Sequence, residues 1–420
     1  MNEASLERAQ SDPLRLPEFR AMLGVSGFGA LAGAMLAVVI GYQVFERSRD
    51  PLALGILGLV EAIPALSFAL LGGHVADRFD RRNIVVLTRI AAMLCALSLA
   101  WLSSSGAHVG LAGIYAVVFA AGIARGFADP ATGALEALVV PRPLLARAST
   151  YLSGVAQACA VAGPALGGAL YAVVGARGAF LVAAALYGLC AMCAFTIAPK
   201  PVVETVNAAK ESVLESIRAG YRYVFSRQVL WASMALDLFA VLFGGAIALL
   251  PAFANDLLRV GPQGLGVLAA APSAGALLAT LVTARFVPVT HAGRWLLSSV
   301  AAFGVTMIVF GLSEHFWLSV AMLFLSGVFD GISMVVRRLI LRLLSPDHMR
   351  GRIAAVSSIF IGASNEIGAF ESGVAASLLG VRRAVWAGGI VTLVVVGFVS
   401  TRAPELRDLN LETHPKPDAL

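Results

Sequence analysis

The sequence predicts an all-α integral membrane protein in which twelve transmembrane helices form two pseudo-symmetric six-helix bundles. Three observations support this prediction: an extreme apolar composition, a series of membrane-length apolar runs, and a repeat that relates the two halves. Of the 420 residues, 59% are hydrophobic and only 13% are charged, whereas an average soluble domain has about 25% charged residues. A soluble fold could not cover that much apolar surface, so lipid must surround most of the chain.

The apolar runs are long enough to cross a hydrocarbon core as helices, which requires about 20 residues each. We place the spans at residues 20–45, 52–76, 84–104, 109–138, 146–174, 178–198, 228–253, 262–287, 294–312, 316–344, 352–379 and 383–400. They divide the chain into a tail (1–19), an N-terminal bundle (20–198), a linker (199–227), a C-terminal bundle (228–400) and a second tail (401–420).

The distribution of basic residues predicts the orientation of the chain in the membrane. Most of the 31 Lys and Arg residues fall on the segments that share a side with the termini. Because basic residues favour the cytoplasmic side, we expect both termini to be cytoplasmic. The same dispersal argues against a nucleic-acid surface, which would gather basic residues into one patch.

A weak internal repeat relates the two halves. The stretch Leu54–Leu57 matches Leu265–Leu268, 211 positions later. Further along, Gly122 corresponds to Gly327 and Gly175 to Gly380, at an offset of 205. Repeated halves are typical of transporters that bind a small molecule at the interface between the repeats.

The linker between the halves has helical periodicity of its own. Its apolar residues recur at the spacing of one helix face, with two arginines beside them: Val213, Leu214, Ile217, Tyr221 and Val224, with Arg218 and Arg222. This pattern predicts a short amphipathic helix on the cytoplasmic interface of the membrane.

The connection between the second and third spans carries an unusual density of charge. Its candidate residues are Gly73, Asp77, Arg78, Arg81 and Arg82. We expect Gly73 to allow a close helix approach, Asp77 to pair with an arginine or cap a helix, and the arginines to contact headgroups. The alternative is ordinary cytoplasmic positive charge, which would not explain the position of Asp77.

This loop resembles the signature loop of the major facilitator superfamily, with Asp80 in place of the usual second glycine. The resemblance implies a conformational latch that stabilises one state of the transport cycle. Other stretches are similar to the branch of enterobactin exporters and macrolide efflux pumps, the transmembrane secretion effector family: "LRLPEFRAML", "DPLALGILGLVEAIPAL", "DGISMVVRRLILRLLSPDHMRGRIAAV", "GASNEIGAFESG" and "APELRDL". The family resemblance further implies that the protein is a monomer in a bacterial inner membrane. It also implies transport that is driven by a proton gradient without a cofactor.

A glycine-rich run in the fifth span resembles the antiporter motif of the same superfamily. It consists of Gly163, Pro164, Gly167 and Gly168. The resemblance implies export. The alternative is a packing role, because small residues four apart allow close helix contact and proline bends a helix.

Charged residues inside the spans are costly, at about 2.5–3.5 kcal/mol each at mid-bilayer on insertion scales, and therefore mark candidate functional positions. The proposed coupling network comprises Arg125, Asp129, Asp330, Arg337 and Glu366. We expect Asp330 and Arg125 to be central, with Glu366 as the rival proton carrier. Burial favours the neutral form of a carboxylate and a nearby arginine favours the charged form, so separating the two would switch protonation. The alternative is a set of structural salt bridges.

Aromatic and polar residues in several spans are candidates for lining a substrate cavity. They are Tyr42, Gln43, Glu61, Asp237, Phe239, Phe243, Asn365 and Phe370. The alternative for the aromatic residues is ordinary helix packing. Together they suggest a small amphipathic substrate.

No phosphate-binding loop, metal-ligand spacing or catalytic constellation occurs in the sequence, so we expect neither an ATP-driven pump nor an enzyme. The leading prediction is a proton-coupled exporter of a siderophore or similar secondary metabolite. A multidrug or macrolide pump is the main alternative, and an importer or a non-transporting membrane sensor is less favoured.

Overall fold

A computed structural model describes residues 12–104, 110–199, 213–243, 246–286, 289–346 and 349–412. Over these ranges the chain is helical and contains no β-strand. Ten helical stretches are long and apolar enough to cross a membrane. One of them contains two spans, and a further helix, Arg350–Leu379, has 30 residues and so a length of about 45 Å. The predicted twelve-helix architecture is therefore confirmed.

The first six spans lie close to their predicted positions. They are α1 (Pro17–Ser48), α2 (Pro51–Arg78), α3 (Arg81–Ser104), α4 (Leu111–Val139), and α5 and α6, which are parts 145–174 and 176–196 of Leu145–Thr196. Gly175 separates α5 from α6 with φ 69° and ψ 178°, a conformation that glycine adopts readily because it lacks a Cβ atom.

The last six spans follow the linker. They are α7 (Gln228–Phe243), α8 (Gly261–Arg285), α9 (Ala292–Leu312), α10 (Phe316–Leu344), α11 (Arg350–Leu379) and α12 (Val381–Arg402). The predicted span 228–253 lies within one membrane-length stretch, Gln228–Leu257, in which the regular helix α7 is followed by irregular helical turns from Ala246 to Leu257. Pro251 lies in these turns, and proline cannot donate the backbone hydrogen bond that a regular helix requires.

The chain forms two compact units. Unit 1 comprises residues 1–49, 57–206 and 261–270, and unit 2 comprises 50–56, 207–260 and 271–420. Each unit therefore includes a short stretch from a helix whose other part belongs to the other unit: the start of α8 in unit 1 and the start of α2 in unit 2.

The pseudo-symmetry extends to individual helix contacts. A Cβ atom on Gly122 of α4 would meet the carbonyl oxygen of Glu61 on α2 at 2.5 Å. A Cβ atom on Gly327 of α10 would meet the carbonyl oxygen of Pro272 on α8. The two glycines are related by the offset of 205 and their two partners by the offset of 211. The same glycine crossing therefore occurs in both units.

The backbone repeats the same relation at turns. Gly175 and Gly380, which the sequence repeat pairs, both have positive φ values of 69° and 87°. Glycine adopts such values readily because it lacks a Cβ atom, so the matched glycines allow the same kind of turn in both halves. Arg49, after α1, and Arg259, before α8, also have positive φ values of 53° and 55°, but they are 210 positions apart, one short of the offset that relates α2 to α8.

The linker helix spans Val213–Ser226. In the part of this helix whose side chains are described, Tyr221 is exposed while Val224 is buried in unit 2. Gly220 lies against the backbone of Arg352 on α11, where a Cβ atom would meet the carbonyl oxygen at 2.9 Å. The hydroxyl of Tyr223 donates to the carbonyl of Leu344 at 3.4 Å. The linker helix is thus held by protein contacts to α10 and α11.

The glycine crossing in unit 2 gives a stability prediction. We expect Gly327→Ala to lower the free energy of unfolding by about 1–3 kcal/mol, because the added methyl group would force α8 and α10 apart. The matched control is Gly397→Ala on α12, where a Cβ atom meets nothing within 4 Å. Thermal unfolding of the purified protein in detergent would measure both. An equal response of the two variants would contradict the importance of the crossing.

Candidate functional site

The most buried ion pair of the described residues joins α7 and α10 in unit 2. Arg337 contacts Asp237 with 2.5 Å between Nη1 and Oδ2, and the two side chains are 6% and 10% exposed. A second guanidinium nitrogen of Arg337 donates to the hydroxyl of Ser333 at 3.0 Å. Charges so far from water require a partner, and each of these two residues supplies one for the other.

Asp330 adds a third charge to this pair. It lies seven residues before Arg337 on α10, which places both on one face of the helix. Its carboxylate interacts electrostatically with Arg337 and with Asp237. We call Asp237, Asp330 and Arg337 the Arg337 triad. It contains two acids and one base, so it carries a net negative charge when all three are ionised.

Unit 1 contains a triad of the same composition. Arg125 of α4 contacts Glu61 of α2 at 2.8 Å and Asp129, one turn away on α4, at 3.5 Å. These three residues form the Arg125 triad. Their side chains are much more exposed than those of Arg337 and Asp237. The exposed fraction is 52% for Arg125, 44% for Glu61 and 65% for Asp129. The Arg337 triad is therefore the more buried of the two.

The structure thus regroups the residues that the sequence singled out. Glu61 and Asp237 were candidates for a substrate cavity, and both are ion-pair partners of arginines in the proposed coupling network. Glu366, the rival proton carrier, is partly buried on α11.

The remaining cavity candidates lie in different surroundings. Tyr42 is buried and packs edge-on against Tyr171, with ring centroids 4.9 Å apart. Gln43 is buried as well, and its amide nitrogen donates to the hydroxyl of Ser103 on α3 at 2.7 Å. Phe239 and Phe370 are partly buried and Asn365 is exposed, while the side chain of Phe243 lies outside the described residues.

In the signature loop, the close approach occurs at Gly72 and not at Gly73 as predicted. A Cβ atom on Gly73 would meet nothing within 4 Å, whereas one on Gly72 would meet the carbonyl oxygen of Gly126 on α4. The correction follows from helix rotation, because adjacent residues on a helix point about 100° apart. The motif glycine, Gly73, and the glycine that makes the close contact with α4, Gly72, are therefore adjacent residues and not the same residue.

The charged residues of the loop make short-range contacts. Asp77 pairs with Arg81 at 3.5 Å, and the Arg81 Nε donates to the carbonyl of Ala76 at 3.0 Å. Asp80, which replaces the usual glycine, accepts from the backbone N–H of Arg82 at 3.0 Å and so caps the start of α3. Arg78, the remaining arginine of the motif, is exposed at the end of α2.

Arg82 links the loop to the end of α6. Its guanidinium donates to the carbonyl of Phe195 at 2.5 Å and lies 4.7 Å from the centroid of the Phe195 ring. This contact combines a charge-assisted hydrogen bond with a cation–π interaction. It joins the first turn of α3 to the last turn of α6 within unit 1.

The glycines of the antiporter-like motif in α5 are all contact positions. Gly163 and Gly167 face α1, where added Cβ atoms would meet the side chain of Ala34 and the carbonyl oxygen of Met35 at 2.5 and 2.8 Å. Gly168 faces the start of α8, where a Cβ atom would lie 2.8 Å from the Cα atom of Gly266. Pro164 is buried within the helix. The motif therefore has a packing function in unit 1.

Sequence reasoning missed two charged residues inside unit 1. Arg89 of α3 donates to the hydroxyl of Thr132 on α4 at 3.3 Å. Glu136 of α4 accepts from the hydroxyl of Ser26 on α1 at 3.1 Å. Both interrupt otherwise apolar runs, which was the available signal.

The described residues contain no group of three or more His, Cys, Asp or Glu side chains arranged to hold a metal ion. Each of the two triads has one more acidic than basic side chain.

Comparison with solved structures identifies the fold. A bacterial homologue of the human lysosomal transporter Spinster superposes with a TM-score of 0.74 and 15% identity, covering 93% of this chain and 98% of that chain. Likeness at this identity establishes the fold alone.

Sequence comparison identifies the family. The family described as transmembrane secretion effector matches residues 9–417, and the chain belongs to it. The multidrug efflux pump Tap of Mycolicibacterium fortuitum is 25% identical over 420 residues, covering 96% of this chain and 98% of that protein. The enterobactin exporter EntS of Citrobacter koseri is 25% identical over 341 residues, covering 80% of each chain. The chain is accordingly a multi-pass membrane transporter.

The buried ion pair predicts a large stability difference between two arginine substitutions. We expect Arg337→Gln to lower the free energy of unfolding by about 3–5 kcal/mol, because it leaves Asp237 charged and unpaired in a dry site. The matched control is Arg382→Gln, which breaks the exposed pair with Glu314 and should cost about 0–1 kcal/mol.

Chemical or thermal unfolding in detergent would measure both variants. The double variant Asp237→Asn/Arg337→Gln should recover part of the loss, since it removes both charges. Equal effects of the two single arginine substitutions would show that burial does not govern the pair.

Proposed function

We propose that this transporter is a proton-coupled, alternating-access exporter of a small amphipathic molecule, with a siderophore or similar secondary metabolite as the favoured cargo. The observation that carries the proposal is the Arg337 triad, in which a buried arginine has two carboxylates to compensate. A site with one acid in excess gains from binding a proton, because the proton removes the surplus charge.

The geometry suggests which acid carries the proton. Asp237 is engaged directly by Arg337 at 2.5 Å. Asp330 interacts with the same arginine over a longer distance. Protonating Asp330 leaves a matched pair behind, whereas protonating Asp237 would break the shortest contact of the site. Asp330 is therefore the proposed proton carrier, and movement of α10 relative to α7 would change its affinity for the proton.

Export as the direction of transport is supported by the family and by its relatives. The family is described as transmembrane secretion effector. Tap is named a multidrug efflux pump, and EntS is named an enterobactin exporter. The run Gly163–Gly168 resembles the antiporter motif of the superfamily. We further propose a monomer in a bacterial inner membrane with cytoplasmic termini, powered by the proton gradient without ATP or another cofactor.

The loop that contains Asp77, Arg78, Arg81 and Arg82 is proposed as a conformational latch. The Arg82–Phe195 contact and the Asp77–Arg81 pair fix the turn between α2 and α3 in unit 1. A fixed turn of this kind can favour one state of a transport cycle without contacting the substrate.

A single substitution tests the coupling proposal. In proteoliposomes with an imposed pH gradient, Asp330→Asn should reduce gradient-driven accumulation of ethidium, erythromycin or 2,3-dihydroxybenzoylserine by about 100-fold, because a neutral amide cannot exchange a proton. The protein should still fold, since asparagine preserves the shape of the side chain.

The matched control is Asp408→Asn near the C-terminus. Its carboxyl is exposed, and the hydrogen bond from Arg407 holds the pKa of Asp408 below its usual range, so the control also removes a negative charge. Gradient-driven transport by Asp330→Asn at the control's rate would exclude Asp330 as the carrier.

A multidrug efflux pump is the second candidate, favoured by the full-length match to Tap. Deleting the gene under iron limitation separates the two. A siderophore exporter should lose siderophore secretion and keep its antibiotic sensitivities, because only one cargo is affected. A drug pump should show the reverse, with lower inhibitory concentrations and normal secretion, as measured by chromatography of culture medium and dilution assays.

A further inference from the structure

A line of polar residues follows one face of α4 in unit 1. Arg125, Asp129, Thr132 and Glu136 are separated by four, three and four positions, which is the spacing of residues on a single helix face. They cover about 16 Å along the helix axis. The line begins at the Arg125 triad and ends at Glu136, three residues before the end of α4 at Val139.

Three neighbouring helices contribute polar groups to this line. From α1, the hydroxyl of Ser26 donates to Glu136 at 3.1 Å. From α2, Glu61 pairs with Arg125. From α3, the guanidinium of Arg89 donates to the hydroxyl of Thr132 at 3.3 Å.

Arg89 lies in the interior of unit 1 without an acidic partner within 4 Å in the described part of the chain. Gly29 of α1 leaves room for it, since a Cβ atom there would lie 3.6 Å from the guanidinium carbon. From α6, Tyr187 and Cys190 lie within its electrostatic range. The Arg89 Nε is buried and has no hydrogen-bond partner among the residues that the structure describes. Arg89 contacts Thr132 of α4. On the same helix, Asp129 lies one turn before Thr132 and Glu136 lies one turn after Thr132.

Glu136 is bound differently from the acids of the two triads. Its partner is a neutral hydroxyl, and among the described residues no cation lies within 4 Å of its carboxylate. A carboxyl group that is half-buried and hydrogen-bonded to a hydroxyl can be accommodated in either protonation state, because a hydroxyl both donates and accepts. Glu136 therefore has the properties of a proton-exchanging group and not of a structural ion pair.

We propose that Glu136 is a second proton carrier, which exchanges protons between water at the Val139 end of α4 and the Arg125 triad. This inference rests on the proposed proton-coupled transport. The Glu136 carboxylate takes a proton from water, and the neutral acid then delivers it along the Thr132 hydroxyl, with bridging water, to the carboxylate of Asp129. One proton enters and one proton leaves, so no other reactant is needed. Arg89, held at Thr132, stabilises whichever neighbouring acid is ionised.

The decisive experiment separates coupling from movement of cargo. Proteoliposomes containing Glu136→Gln should accumulate ethidium, erythromycin or 2,3-dihydroxybenzoylserine about tenfold more slowly under a pH gradient, because glutamine cannot carry a proton. Exchange of the same probe at equal pH on both sides should stay within about twofold of the unsubstituted protein, since it needs no net proton transfer.

Two further variants identify a proton role rather than a packing role. Glu136→Asp should restore most gradient-driven transport and shift its pH profile, because it returns a carboxylate at a slightly different position. The matched control is Glu314→Gln, which removes a carboxylate from the exposed pair with Arg382 and should leave both assays unchanged.

The outcomes distinguish the two levels of proposal. If the unsubstituted protein moves none of the three probes under a pH gradient, the proton-coupled export function is overturned. If it does move a probe and Glu136→Gln keeps the same rate and pH profile, only the second carrier is overturned. Equal loss of gradient-driven transport and of exchange would also overturn it, because that result indicates a structural role.

Discussion

The buried contact between Arg337 and Asp237 is the interaction that constrains how α7 and α10 pack in unit 2. Neither side chain has access to water, so each depends on the other, and their separation of 2.5 Å requires α7 and α10 to lie close together. Such a pair gives little net stability, because the cost of removing both charges from water offsets their attraction. Net stability therefore does not explain its presence in an otherwise apolar bundle, and with Asp330 the site has one negative charge in excess when all three groups are ionised.

Close helix contact is made possible by glycines that recur in both halves. Gly122 and Gly327 occupy equivalent positions and lie against equivalent backbone carbonyls of α2 and α8. The correspondence of the two glycines could be predicted from the sequence, since the repeat offset of 205 alone aligns them. The twelve spans were equally predictable, because hydrophobicity over 20 residues reports directly on the solvent that surrounds a helix. The irregular turns from Ala246 to Leu257 were not predictable in this way, because the apolar run continues through Pro251 unchanged.

The partners of the charged residues were much less predictable. The sequence placed Asp237 in a substrate cavity and overlooked Arg89 and Glu136, although all three are polar residues in apolar surroundings. Pairing depends on the rotation of each helix about its axis and on which helices are neighbours, and hydropathy reports on neither. The shift from Gly73 to Gly72 has the same origin, since a single position changes the direction of a side chain by about 100°.

The two triads have the same composition and different surroundings, and this difference determines how each responds to a proton. In the Arg125 triad about half of each side chain is left uncovered by protein, so any water that reaches it weakens both attraction and repulsion among the three charges. In the Arg337 triad almost no surface of Arg337 and Asp237 is open and Asp330 is partly buried, so the excess charge costs more there and its neutralisation would be worth more. Under the proposed proton coupling, unit 2 is therefore the better place to hold a proton, and the open triad and the polar face of α4 in unit 1 are the better place to exchange protons with water.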